Sequence, residues 1–479
     1  MASMTAEEEV LVLRAEVAAL KGQLAQALAL IAQLRAEIEQ LRSSPPTFVK
    51  PSTPKPKEKA QKQPRRKRAK DQNGARLREQ SPTHTIQHHL ETCPDCAYPL
   101  QHPQLASKRQ VIELPPPVPV QVTEHQLYKG WCPRCSRWHY PPLDLAGLAG
   151  HGKGQEQEPA QVIGHSRIGV RIASVIAYLR TTLRMPVRLI REYLHTIHNL
   201  LISTGEIGDL LHRVAEAERV KQAAHEIKEV IRHSSVVHAD ETGWREGGQN
   251  GYIWCLCTPE GERYYEYDHS RAGAVARRIL GSQFKGTLVS DFYGGYNEFP
   301  GEHQRCWVHL LRDLHTLKED HKENEEVLEW AAQVRAMYDT AHQYLHSMHS
   351  EHGPPSQQER EVQYNHLMDS VRELGSKYSK YSKTKSHAAH PCHTLSKRLL
   401  RHQDELFTFV LQEGVSSDNN LAERSVRPVV VMRKVSGGTQ SAKGSATRMT
   451  LATLFGTWRA KGLNPFHECL SLLSQPSHP

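Results

Sequence analysis

The sequence has no long apolar run and no positive charge at its start. Nothing in its 479 residues approaches the roughly 18 apolar positions of a membrane span, and Glu7, Glu8 and Glu9 stand where a secretory leader needs lysine or arginine. The expectation is a cytoplasmic, nucleoid-associated chain with no membrane partner. Net charge is scarce outside one stretch. The whole chain carries +9, whereas residues 50 to 78 alone hold twelve Lys or Arg against Glu58 and Asp71. Everything else is therefore close to neutral, and the basicity is that of a local arm suited to a polyanion. Cysteine is sparse as well. Four of the nine fall in two C-x-x-C pairs, a spacing that points in a reducing compartment to metal before disulfide.

What is present reads as a succession of modules, and the length alone suggests about three domains. Val10, Leu13, Val17, Leu20, Leu24, Ala27, Ile31, Leu34, Ile38 and Leu41 repeat with three-four spacing, the seam of a coiled coil. β-branched residues at most a positions and Leu at most d positions favour a parallel pair. Glu9 with Arg14, Glu16 with Lys21 and Glu37 with Arg42 supply opposite charges across it. The Pro-, Lys- and Gln-rich stretch that follows has no periodic apolar face and reads as a disordered linker, with Arg65, Arg66, Lys67 and Arg68 as candidate DNA contacts. Cys93, Cys96, Cys132 and Cys135 then form a double C-x-x-C pattern around alternating, strand-like sequence. Two such turns offer four thiolates and no open position, so the zinc they predict is structural. The 35 residues between the pairs exceed common zinc spacings and leave the fold of the insert open. Residues 160 to 232 have helical periodicity. Two helices with a turn near Ser203, Thr204 and Gly205 could be a helix-turn-helix, or simply two packed helices.

From residue 235 the pattern turns to strands: SVVHADETGW, GYIWCLCT and RYYEYDHS, then a helical RAGAVARRIL and a further strand GTLVSDFYGGY. Asp240 and Asp291 each follow an apolar run, which predicts two carboxylates at the ends of buried strands. If those strands are neighbours, the acids converge and a hard divalent cation relieves their repulsion. A third acid, Glu423, lies in the helical stretch beginning SSDNNLAERSVRP, where Asn420 and Glu423 also have capping-box spacing. Arg424, Arg427, Arg433 and Lys434 crowd the same segment, a density of positive charge suited to phosphates. Cys306 and His309 make a C-x-x-H pair of metal-ligand type, but with no second pair near in sequence it reads as local packing and DNA positioning. Trp307 between them is either a core aromatic or a platform for an unpaired base. Residues 310 to 412 lack strand alternation.

Together, HADETGW, SDFYGGY, CWVHLLRD, DNNLAERSVRP and GLNPF, in this order, resemble the insertion-sequence-sixty-six family of bacterial transposases over essentially the whole chain. The resemblance implies a multidomain α+β protein. Its parts are a coiled coil (5–42), a basic linker (43–85), a four-cysteine zinc-binding module (86–145), a helical region (155–232), and a ribonuclease H-like α/β core in two pieces (233–309 and 413–475) around a helical insertion (310–412). It implies that Asp240, Asp291 and Glu423 are an acidic triad holding two catalytic Mg²⁺ or Mn²⁺ ions, and that the chemistry is DNA cleavage and strand transfer by phosphoryl transfer. Double-stranded DNA, a second copy joined through the coiled coil and small accessory proteins are the implied partners. The competing expectation is an inert, zinc-stabilised dimeric DNA-binding regulator derived from such an enzyme.

Overall fold

A computed structural model describes residues 81–475 apart from 103, 113, 115–119, 142, 144, 146–160, 298, 300, 352–354 and 382–388; before residue 81 it describes only Lys21, Gly22, Gln26, Ala29 and Gln33. Those five are helical and exposed. The heptad positions from Val10 to Leu41 and the basic run Arg65 to Arg68 lie outside the described residues. The chain divides into two units, Met1–Leu114 and Pro115–Pro479. In the first, Thr92 and Pro99 bridge across the turn that carries Cys93 and Cys96. Among the described residues, no helix is long and apolar enough to cross a membrane.

The second unit begins with a short hairpin, Gly130–Cys132 (β1) and Arg137–His139 (β2), with Trp131 opposite Trp138. Four helices follow: Val170–Thr181 (α1), Val187–His198 (α2), Thr204–Glu216 (α3) and Glu218–His233 (α4). Asn199 closes α2 in the left-handed conformation, and the Ser203 hydroxyl caps α3 by accepting from Glu206 N at 3.0 Å. The turn therefore lies at residues 199–203, earlier than the expected Ser203–Gly205, because Ser203 is the cap and Thr204 and Gly205 are already helical.

A five-stranded sheet comes next. Val236–Glu246 (β3) is central, with Gln249–Cys257 (β4) and Arg263–Asp268 (β5) antiparallel on one side and Thr287–Ser290 (β6) and His303–Arg305 (β7) parallel on the other. β3 and β4 are joined by Gly247 and Gly248, at φ +55° and +83°, the two positive angles that a two-residue hairpin turn demands. The expected strands and their order are present. β7 was not anticipated, because three residues are too few to show alternation. The helix Gly273–Leu280 (α5) covers one face with Val275, Ala276 and Ile279 against Val237, Ala239, Trp254 and Leu256.

After β7 the chain is helical: Trp307–Asp320 (α6), Glu325–Glu351 (α7), Gln357–Ser379 (α8), His393–Arg401 (α9) and the single turn Thr408–Leu411 (α10). These helices share a core built on Trp307, Trp330, Val334, Val371 and Phe407. Asn420–Ser436 (α11) then returns to the sheet, running through Pro428, and Ala442–Ala460 (α12) and Pro465–Ser474 (α13) complete the unit. Helix α11 lays Val426, Val429 and Met432 on Trp244, Ile253 and Cys255, the face opposite α5. Leu451, Leu454 and Phe455 of α12 and Leu473 of α13 pack with α1, α2 and α3.

Neither sheet edge is left bare. Thr457 and Thr453 of α12 accept from the backbone N–H groups of Arg263 and Tyr265 at 2.9 and 3.0 Å, capping the β5 edge. On the β7 side the Gln304 side chain accepts from Phe409 N at 2.9 Å and donates to Leu406 O at 3.0 Å. One backbone approach is too close for any side chain: a Cβ on Gly273 would lie 1.9 Å from Gly295 O. Gly273→Ala is therefore expected to lower unfolding free energy by about 1–3 kcal/mol. Urea denaturation checks this, and an unchanged midpoint would contradict the close approach of Gly273 to Gly295.

Candidate active site

Parallel pairing of β3 with β6 sets Val236 opposite Thr287, Val237 opposite Leu288 and His238 opposite Val289. Two residues further along each chain come Asp240 and Asp291, so the register alone carries them to the same level of the sheet. Asp291 directly follows β6, as expected. Asp240 does not end its strand, because β3 continues to Glu246 as an arm of the hairpin with β4. Only the part paired with β6 ends before it. Glu423 arrives from the opposite direction, in the first turn of α11.

Asp240 lies within electrostatic reach of both other acids. Burial, followed by the charges of Glu241, Asp291 and Glu423, pushes the Asp240 carboxyl up to about 7, although Glu241 N donates to it at 2.9 Å. A cation among these groups would remove the repulsion, and an all-oxygen donor set is what a hard divalent ion takes. The residues therefore fit Mg²⁺ or Mn²⁺.

Asn419 fixes how the helix meets the sheet. It stands at the N-cap position of α11, yet its side chain makes no cap bond. Instead its amide donates to Ala239 O at 2.7 Å, and its Oδ1 lies 3.2 Å from His238 Nδ1. Its own N–H donates to the buried thiol of Cys306 at 3.2 Å. His238 is held neutral, with its pKa lowered to about 4 chiefly by burial. The Asn420–Glu423 capping box does not form: Asn420 bonds Asp418, and Glu423 Oε1 has no hydrogen-bond partner among the described residues.

Arg305, fully buried, does the same for the other strand. Its guanidinium donates to Asp291 O at 2.9 Å and Asn297 Oδ1 at 3.0 Å, and it pairs with Glu405. Burial pushes Glu405 up, but hydrogen bonds from His303 and His402 and the Arg305 charge outweigh it and hold the carboxyl far below its usual range. Beside Asp240, Glu241 points to the other face of β3 by strand alternation. There Arg271 donates to it at 2.6 and 2.9 Å, and the Tyr296 hydroxyl donates at 2.6 Å. Asn419, Arg305 and Glu241 were all missed by sequence reasoning. The one usable signal was the Asp-Asn-Asn run directly ahead of Glu423.

Trp307 is a core residue. It is fully buried, donates its indole N–H to Leu406 O at 2.6 Å and packs on Tyr338 and Phe407. It therefore offers no surface to a base. Arg424, Arg427 and Lys434 are exposed. Arg433 departs from the expected phosphate contact, because its guanidinium is bonded to the Gly243 carbonyl and lies 3.3 Å from Thr242 Oγ1.

The two cysteine turns share a local conformation. Ala97 after Cys96 and Ser136 after Cys135 are both left-handed, at φ 57° and 49°. Backbone N–H groups of Asp95 and Cys96 lower the Cys93 thiol, and those of Cys135 and Arg134 lower Cys132. Thiolate-favouring turns of this kind fit zinc. In the second unit His139 joins Cys132 and Cys135, with ligand atoms within 4.8 Å of one another. The sequence reading had not singled out this histidine.

Residues 165–447 match the family model described as "Transposase IS66 family", and residues 91–136 match "zinc-finger binding domain of transposase IS66". The uncharacterized protein y4jO of Sinorhizobium fredii (strain NBRC 101917 / NGR234) is 36% identical over 73 residues, 15% of this chain and 23% of that protein. The chain thus spans under a quarter of that curated relative's length. Among solved structures, a chain in the cryoEM structure of the simian T-cell lymphotropic virus intasome in complex with PP2A regulatory subunit B56 gamma is 11% identical. It aligns over 33% of this chain and 66% of that one at a TM-score of 0.13, and at that score the likeness carries no argument.

The raised Asp240 pKa has a measurable sign. Between about 4 and about 7 the native protein keeps a proton that the unfolded chain has released, so stability falls as pH rises through that window. In magnesium-free buffer the melting temperature is expected to decline over this range, by an amount worth up to about 4 kcal/mol. Asp240→Asn flattens the decline, and Mg²⁺ reverses it. Identical pH profiles for wild type and variant would show that Asp240 does not carry the repulsion.

Proposed function

Because the chain belongs to the IS66 family of transposases, we propose that it is a DDE-type polynucleotidyl transferase that cleaves DNA at insertion-sequence ends and joins the freed 3′-hydroxyl to target DNA. The observation that carries the reading is that Asp240 feels both Asp291 and Glu423: burial first, then the charge of Glu241 and of these two acids, lifts its carboxyl to about 7. Three antiparallel strands followed by two parallel ones, with the acids beside the central strand and on a returning helix, support a ribonuclease H-like core interrupted by the helices α6 to α10.

Asp240 would serve both of two Mg²⁺ or Mn²⁺ ions, Asp291 one and Glu423 the other. Bound there, such ions supply an activated water and stabilise the attacking and leaving oxygens. The chain's own residues hold that arrangement in place. Arg305 fixes the backbone at Asp291, and Asn419 ties the start of α11 to β3. Exposed Arg424, Arg427 and Lys434 lie on the same helix as Glu423 and are positioned to hold phosphates. Arg65, Arg66, Lys67 and Arg68 are proposed as a second, non-specific DNA contact.

The zinc-finger match supports a structural zinc, with Cys93, Cys96, Cys132 and Cys135 as the proposed ligands on the strength of sequence and family. The N-terminal heptads are proposed to join two copies. That suits a reaction requiring two DNA ends at once, because linkage raises their effective concentration.

Asp240→Asn is expected to reduce Mg²⁺-dependent cleavage of the element's own ends by roughly 10³-fold, the equivalent of several kcal/mol of transition-state stabilisation. End binding, measured by gel shift, should be largely unchanged, since it rests on phosphate and groove contacts elsewhere. Equal cleavage by the two proteins would remove the assignment.

A further inference from the structure

Cys306 immediately precedes α6, His309 lies in its first turn, and Glu423 lies in the first turn of α11. One ligand atom from each residue falls within 4.8 Å of the others. His309 Nδ1 and Glu423 Oε1 are 3.7 Å apart. Both atoms are buried, and neither has a hydrogen-bond partner among the described residues. Buried polar atoms almost always have a partner, so two neighbouring ones without any call for a shared one. The gap is too long for a direct hydrogen bond. It is close to the edge of a tetrahedron whose centre-to-ligand bonds are about 2.0–2.3 Å, the dimensions of a zinc site.

The donor set narrows the choice of ion. Sulfur, imidazole nitrogen and carboxylate oxygen together suit a borderline-soft cation, whereas magnesium takes oxygen and avoids thiol. We propose that Cys306, His309 and Glu423 form a second metal site, for a divalent cation of the zinc class, distinct in ligands from the magnesium-binding acids but sharing Glu423. Binding releases the Cys306 thiol proton to solvent as the sulfur–metal bond forms. Three protein ligands leave a fourth position open. His309 and Glu423 side chains are 29% and 32% exposed, so that position has a route to solvent. The inference rests on the transposase reading only in giving Glu423 two competing ions.

The test needs neither DNA nor magnesium. Full-length protein is dialysed against Zn²⁺, and metal content per chain is compared for wild type, Cys306→Ser and His309→Ala. The zinc-loaded proteins are then titrated with Co²⁺, and the thiolate-to-cobalt absorption is followed. Wild type is expected to hold one more zinc per chain than either variant after dialysis at limiting free zinc, or to show a cobalt–thiolate band that Cys306→Ser lacks. Equal zinc content in all three, with the same cobalt–thiolate absorption in wild type and Cys306→Ser, overturns the proposal. Circular dichroism reports whether the buried Cys306→Ser substitution still folds. If it does not, the zinc content and cobalt spectrum of the partly exposed His309→Ala, compared with wild type, decide the matter. A negative result leaves the cleavage assay untouched, so failure of this site and failure of the transposase reading are distinguishable.

Discussion

Three parallel rungs between β3 and β6 determine where negative charge collects in this molecule. Strands of this kind need a long connection, and here β4, β5 and α5 supply it, so residues 51 positions apart in sequence finish side by side. A one-residue slip in the pairing would move Asp291 relative to Asp240 and turn every buried side chain of β6 to the wrong face. Val236, Val237, Leu288 and Val289 are nearly or fully buried, which penalises such a slip heavily. The apolar run ahead of each acid is thus both the reason the strand forms and the reason its acid ends up where it does.

The helices between β7 and α11 act on the same geometry from the other side. Trp307 N donates to Ser417 O at 2.9 Å, and His342 Nε2 lies 2.9 Å from the Ser417 hydroxyl. Cys306 N donates to Ser290 O at 2.9 Å, beside Asp291. The large core around Trp307 and Trp330 therefore clamps the loop that delivers Asn419 and Glu423, and touches the end of β6 as well. Remote helical packing sets the position of the Glu423 carboxylate, and a polar side chain, that of Asn419, completes the link to β3.

Much of this was legible in the sequence because it rests on local pattern. Alternation marked β3 to β6, and motif order marked Asp240, Asp291 and Glu423 as a set. What stayed hidden depends on contacts made across long intervals. β7 is too short to show a period, yet it contributes Arg305, whose partners Glu405 and Asn297 come from separate segments. Glu241 reads as one more acid beside Asp240 until the strand's alternation sends it to Tyr296 and Arg271. The same limit applies to Arg433. Charge density along α11 suggested a free guanidinium, but helical rotation turns it toward the carbonyl of Gly243.

Two partly buried carboxylates on opposite sides of β6 show how the protein separates scaffold from site. Glu405 is surrounded by Arg305, His303 and His402, so its charge is compensated within the chain and it stays ionised. Asp240 has acids for neighbours and, among the described residues, one backbone donor, so its charge is not compensated. A fold that satisfied Asp240 as fully as Glu405 would be more stable and would have nothing with which to attract a cation. The uncompensated repulsion is a cost concentrated at the one place where a metal ion can remove it, and the buried ion pair at Arg305 keeps that place rigid while the cost is borne.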